Sequence, residues 1–174
     1  MSEMAEGQPR ILWAPWRACY VQERNRGGCV FCQALQEPEG AESLLLRRGE
    51  LVFVMMNRYP YANGHVLVSP VRHVGDLQGL TPQEAQELME ETRTTLEVLG
   101  RVLAPEGFNI GINLGKVAGA GYAGHLHMHI VPRWNGDLNF MPVLAEVRVI
   151  SQHLMETYAK LKAEFDNLGK ERRR

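Results

Sequence analysis

The chain has 174 residues, the size of one ordinary domain, with 45% apolar and 22% charged side chains, a balance that excludes disordered and collagen-like chains. Nineteen basic against 20 acidic side chains leave a formal net charge of −1, which argues against a surface built to bind a nucleic-acid backbone. No apolar run approaches a bilayer span, and the start MSEMAEGQPR lacks the charged and apolar segments of a signal peptide. A soluble, cytoplasmic protein without a membrane partner is the expectation.

Residues 1–9 read as a polar tail and 169–174 as a charged one, enclosing a single domain over 10–168. Short apolar runs at 43–46, 51–56 and 65–68 are separated by Arg48-Gly49 and by Pro60 and Asn63-Gly64, so they predict the strands of a meander. Thr81-Pro82-Gln83-Glu84 has the form of a capping box with proline at the first helical position. Leu88, Thr92, Leu96, Leu99 and Leu103 then recur at helical spacing, predicting an amphipathic helix over 81–103. Strands are expected at 108–114 and 126–131, with a glycine-rich loop over 115–124 between them. Leu154, Tyr158, Leu161 and Phe165 mark a closing helix. The class is α+β: an antiparallel sheet of about five strands with two main helices.

The stretch Gly124-His125-Leu126-His127-Met128-His129-Ile130-Val131 carries the most chemistry. Strand side chains alternate faces, so the three histidines share one face, about 6–7 Å apart, while Leu126, Met128 and Ile130 pack on the other. A neutral imidazole is nucleophilic and hydrogen-bonding at once, which suits attack on phosphorus. The glycines just before could be no more than loop, or could let backbone N–H groups converge on anionic oxygens; Lys116 reads as a solvated lysine. Cys29-Val30-Phe31-Cys32 is either a pair of packed thiols or half of a zinc knuckle. In the second case His73 and His125 are the candidates that complete a tetrahedral Zn2+ site. Cys19 has no partner motif and reads as packing, and His153 as a surface or satisfied core residue.

These residues resemble the histidine triad (HIT) family of nucleotide hydrolases and transferases, whose signature alternates histidine with apolar residues as 125–131 does. The similarity extends to Leu12-Trp13-Ala14-Pro15-Trp16-Arg17, Cys29 to Cys32, 51–65, 107–115, Pro132-Arg133-Trp134 and Asn139-Phe140-Met141-Pro142, and points to a bacterial branch that includes diadenosine tetraphosphate phosphorylases. The resemblance implies a HIT-like fold and a twofold homodimer that would also bury apolar surface of the 81–103 helix. It implies His127 as nucleophile, His129 as the histidine beside the scissile phosphate, and His65 as a residue orienting the triad. Asn57 would bind ribose. Asn113, with the backbone of Ala120 and Gly121, would bind phosphate oxygens. Cys29, Cys32, His73 and His125 match the ligand positions of the zinc-bearing members, so the ion would be structural. Gly121 stands where phosphorylase relatives carry a serine, which removes a hydroxyl but leaves a backbone N–H.

The implied activity is cleavage of a dinucleoside polyphosphate through a nucleotidyl-histidine, with inorganic phosphate as acceptor. Hydrolysis of phosphoramidates or other AMP conjugates, and a zinc-stabilised nucleotide-binding module without turnover, are the alternatives. A free imidazole at the middle position favours an enzyme, because binding alone does not require one.

Overall fold

A computed structural model of the chain describes residues 28–137 and 153–171. Helix α1 spans Val30–Gln36, α2 Pro82–Leu103 and α3 Leu154–Glu171. Strands β1 (Leu45–Arg48), β2 (Val52–Met56), β3 (Val66–Pro70), β4 (Gly107–Ile112) and β5 (Met128–Arg133) form a five-stranded sheet in the order β1-β2-β3-β5-β4. Every neighbouring pair is antiparallel. The α+β class, the meander and both long helices agree with the sequence expectation. Differences are local: α1 had no sequence forecast, and α3 runs past residue 168 to Glu171, so the expected tail at 169–174 begins as helix. Cys19 and the segments 12–17 and 139–142 lie outside the described residues.

The sheet is covered on both faces. On one, Val52, Val54 and Met56 of β2, Val66 and Val68 of β3, and Met128 and Ile130 of β5 pack against α2 and α3. Thr81 starts α2: its hydroxyl accepts the Glu84 N–H while the Glu84 carboxylate accepts the Thr81 N–H, satisfying two otherwise orphaned donors. Leu88, Thr92, Val98 and Leu99 are its buried stripe. Tyr158, Leu161, Phe165 and Leu168 are that of α3, and the Tyr158 hydroxyl donates to the Leu45 carbonyl at 3.0 Å.

On the opposite face, Leu45, Phe53, Met55 and Leu67 pack under α1, which contributes Phe31 and Ala34. This second cover explains the unbroken run Val52-Phe53-Val54-Met55-Met56, buried at every position as in a strand enclosed from both sides. Cross-strand pairing sets Met55 opposite Leu67 and Leu67 opposite His129. The face covered by α1 is therefore the one on which His129 stands.

Candidate functional site

Only the third histidine of the triad lies in β5 proper; His125 and His127 precede it. The ladder stops there, and other bonds hold the segment extended. Leu126 N–H donates to the Val74 carbonyl at 2.6 Å, and the buried Ser69 hydroxyl donates to the Leu126 carbonyl at 2.7 Å. Gly75 allows this close approach, since a Cβ there would meet the Ala123 carbonyl oxygen at 3.1 Å.

Partners at each ring set the tautomers. His127 Nδ1–H donates to the His125 carbonyl at 2.8 Å, which leaves Nε2 with a free electron pair. The Tyr61 backbone N–H donates to His65 Nδ1 at 3.0 Å, so the His65 proton is on Nε2 and is donated to His129 Nδ1 at 3.0 Å. The His129 proton is consequently on its Nε2, a buried atom with no hydrogen-bond partner among the described residues. The His127 and His129 rings are 4.9 Å apart at 64°, so an unprotonated nitrogen and an unpartnered donor belong to adjacent imidazoles. Burial pushes the His127 imidazole below its ordinary value. Burial and the neighbouring His127 bring His129 down to about 4. Both rings are neutral at pH 7.

Asn57 is drawn into the same network. Its Oδ1 accepts the Tyr59 N–H at 2.9 Å, turning Nδ2 toward His65 Nδ1 at 3.3 Å. Asn113 follows β4 and faces the glycine loop, with Nδ2 3.9 Å from where a Gly119 Cβ would be. In that loop a 3-10 turn spans Lys116–Ala118, and Gly115 and Gly119 take φ of 81° and 90°, conformations that favour glycine. Ala120 is buried and its N–H donates to the Gly115 carbonyl at 3.3 Å. Its amide thus closes the loop, while Gly121 is exposed. Lys116 is exposed; so is His153, whose Nδ1 accepts the Met155 N–H ahead of α3.

Cys29, Cys32, His73 and His125 converge, with one ligand atom from each lying within 4.8 Å of the others. Cys29 Sγ is 3.2 Å from His125 Nδ1, Cys32 Sγ 3.3 Å from His73 Nδ1 and 3.6 Å from His125 Nδ1. Donor atoms about 2.0–2.3 Å from one tetrahedral ion sit roughly 3.3–3.8 Å apart, so the cluster has the dimensions of a metal site. His125 Nε2–H donates to the Pro70 carbonyl at 2.8 Å, aiming the unprotonated Nδ1 at the thiols as a ligating histidine requires. Burial opposes ionisation of the Cys29 thiol and the Cys32 backbone N–H favours it; a bound metal would itself select the thiolate, the ligating form. Burial and the adjacent Cys29 raise Cys32. Arg72, beside His73, clasps Glu84 through Nε at 2.9 Å and Nη2 at 2.8 Å, fixing that corner to the start of α2.

Phe31, Tyr61, Ser69 and Pro70 were not singled out from the sequence. Tyr61 stacks 5.7 Å from His129 at 14°, and Phe31 lies against His125 and His127. Phe31 alone had a readable signal, its position between the two cysteines.

The HIT domain profile matches residues 39–136. The chain is 40% identical over 166 residues to a Mycobacterium tuberculosis protein named AP-4-A phosphorylase, covering 91% of this chain and 85% of that one. It is 37% identical over 97 residues to the asymmetrical bis(5'-nucleosyl)-tetraphosphatase of Schizosaccharomyces pombe, covering 56% and 53%. Among solved structures, a Zn-bound histidine triad family protein from Mycobacterium smegmatis superposes with a TM-score of 0.65 at 26% identity, covering 82% of this chain and 96% of that one. A uridylyltransferase shares the fold at 22% identity, with a TM-score of 0.64 over 88% and 50%. With its three alternating histidines on a HIT-type sheet, this chain belongs to the histidine triad family.

Proposed function

We propose that the protein is a nucleotidyl transferase or hydrolase that cleaves dinucleoside polyphosphates such as diadenosine tetraphosphate, with His127 as nucleophile. The observation that carries this reading is the pairing of tautomers: His127 Nδ1–H is tied to the His125 carbonyl, and the His129 Nε2–H beside it is buried and has no partner among the described residues. An acceptor oxygen on a substrate would satisfy that donor. The names of the M. tuberculosis and S. pombe relatives support the same substrate class.

In this mechanism His127 Nε2 attacks the α-phosphorus, forming a P–N bond as the P–O bond to the remaining nucleotide breaks. With diadenosine tetraphosphate the leaving group is ATP, and an adenylyl group stays on His127. His129 Nε2–H donates to a non-bridging oxygen as charge develops there, a stabilising term that is large in a water-poor site. His65 Nε2–H holds His129 in the required tautomer. Inorganic phosphate then attacks the adenylyl phosphorus and releases ADP; with water as acceptor the product is AMP. Splitting one displacement into two lowers the larger barrier. Asn57 is assigned to the ribose hydroxyls, and Asn113 with the exposed Gly121 N–H to phosphate oxygens. Gly111 pairs across from His129, and a Cβ there would meet nothing within 4 Å among the described residues, so we assign the substrate's approach to that side.

Zn2+ is the ion we assign to Cys29, Cys32, His73 and His125. Two thiolates and two imidazoles suit it, and four protein ligands leave no open position, so its contribution is structural. We further assign a cytoplasmic location and a twofold homodimer; among the described residues no helix is long and apolar enough to cross a membrane. Incubation with diadenosine tetraphosphate, with and without inorganic phosphate, tests the reaction. ATP and ADP are expected with phosphate, and ATP and AMP without it. No cleavage under either condition would leave the chain a nucleotide-binding module.

A further inference from the structure

The two cysteines of the metal cluster flank Phe31, which is 3% exposed. Its ring centroid is 5.0 Å from that of His125 at 38° and 4.8 Å from that of His127 at 32°. The Phe31 ring therefore lies against both a metal ligand and the imidazole assigned as nucleophile. Among the described residues the His127 ring has a single hydrogen bond, at Nδ1, and one bond alone leaves an imidazole free to swing about it. Phe31 closes that freedom from the side. Its own position depends on α1, a helix of only seven residues whose N-cap Cys29 makes no side-chain capping bond. So short a helix does not hold itself together. Outside the metal cluster, bonds from the Tyr122 hydroxyl to the Gly28 carbonyl and from Arg48 to the Leu35 and Glu37 carbonyls tie it down. The turn that carries Phe31 is closed by the Gln33 N–H to the Cys29 carbonyl at 2.9 Å and seated by Phe31 against Phe53 and Tyr122, and Cys29 and Cys32 anchor it on either side of the ring.

We propose that Phe31 is a positioning residue, holding His127 at its angle of attack, and that the metal ligands act on the reaction by holding Phe31. This rests on the reading of His127 as nucleophile. Removing the ring opens space beside His127 into which the imidazole rotates, and misplacement of a reacting group by about 1 Å costs on the order of 100-fold in rate. Ground-state binding of nucleotide does not pass through Phe31, so the loss falls on the covalent step.

The test compares the zinc-loaded full chain with its Phe31→Leu and Phe31→Met variants, using diadenosine tetraphosphate. Three quantities are read: the single-turnover rate of adenylyl-histidine formation, KM, and zinc per chain by metal analysis. Phe31→Leu is expected to keep one zinc equivalent and a KM within about twofold of wild type, yet to form the adduct roughly 10–100-fold more slowly. Phe31→Met, closer in volume, should fall between. Chelation of zinc from wild type should slow the same step, and should add little in Phe31→Leu, because perturbations acting through one contact are non-additive. Val30→Ala, a change at an exposed neighbour on α1, should leave the rate unchanged. Adduct formation within twofold of wild type in zinc-loaded Phe31→Leu, or fully additive losses on chelation, would overturn the proposal. So would loss of zinc by both variants with rates equal to zinc-free wild type, since Phe31 would then support only the metal. Absence of any adduct in wild type would instead remove the nucleophile reading itself.

Discussion

His65 links the nucleotide-binding and catalytic sides of the proposed site: its Nδ1 faces Tyr61 N–H and Asn57, and its Nε2–H faces His129. Asn57→Ala is expected to raise KM more than it lowers kcat. Ribose contacts act in the ground and transition states alike, and the Tyr61 N–H still fixes the His65 tautomer. Steady-state kinetics reads the split; a kcat collapse at unchanged KM would move Asn57 from ribose binding to orienting His65. His129 makes a separate prediction. Its imidazole titrates near 4 in the fold against an ordinary 6.5, through burial and then His127. Protons therefore bind the unfolded chain first. The stability contributed by neutral His129 is fully present above pH 6.5 and is lost as the pH falls toward 4. A proton NMR titration should place its midpoint close to 4, and a midpoint at 6 or above would contradict a desolvated ring.

Among the elements, α2 is the one whose start is written most plainly. Thr81 and Glu84 close both bonds of the capping box, and Thr81→Ala should cost about 1 kcal/mol in urea unfolding with little change in KM. A loss below a few tenths would mean that Glu84, clasped by Arg72, holds the helix start without the hydroxyl. The strands and both long helices were legible because periodicity, Asn63-Gly64 and the cap mark them locally. Helix α1 was not, because its Val30–Gln36 segment is too short for a helical period and folds against Phe53, Met55 and Leu67, residues remote in sequence. The triad was legible as an alternation, yet its tautomers were not. They depend on the carbonyls of His125 and Pro70 and on the Tyr61 N–H, groups every residue carries. The metal ligands could be named as candidates from type and spacing. That Phe31 sits between two of them and against His127 required the fold.

At the level of the whole molecule, the two sheet edges differ. Edge strand β1 is tied to α3 through Tyr158, whereas β4 is half-buried to exposed along its length, with Ile110 46% exposed. Helix α2 commits Leu88, Thr92, Val98 and Leu99 to its own sheet, and Met89 is the exposed large apolar side chain left for the expected dimer contact. Among the described residues β4 ends the sheet, and an edge strand pairs readily with a second copy, so we assign the proposed homodimer to β4. Sedimentation at micromolar concentration should give a dimer, and Ile110→Lys should shift it toward monomer. A stable monomer in the unmodified chain would contradict the assembly.

Chemistry at His127 is tested most directly by trapping. The chain is mixed with labelled diadenosine tetraphosphate without phosphate, quenched in alkali, where a phosphorus–nitrogen bond to imidazole survives, and the modified peptide is mapped by mass spectrometry. An adenylyl group on His127 is the expected result, absent in His127→Ala, which should still bind nucleotide while losing activity by several orders of magnitude. Substantial turnover in His127→Ala, or label on another residue, would contradict the covalent route.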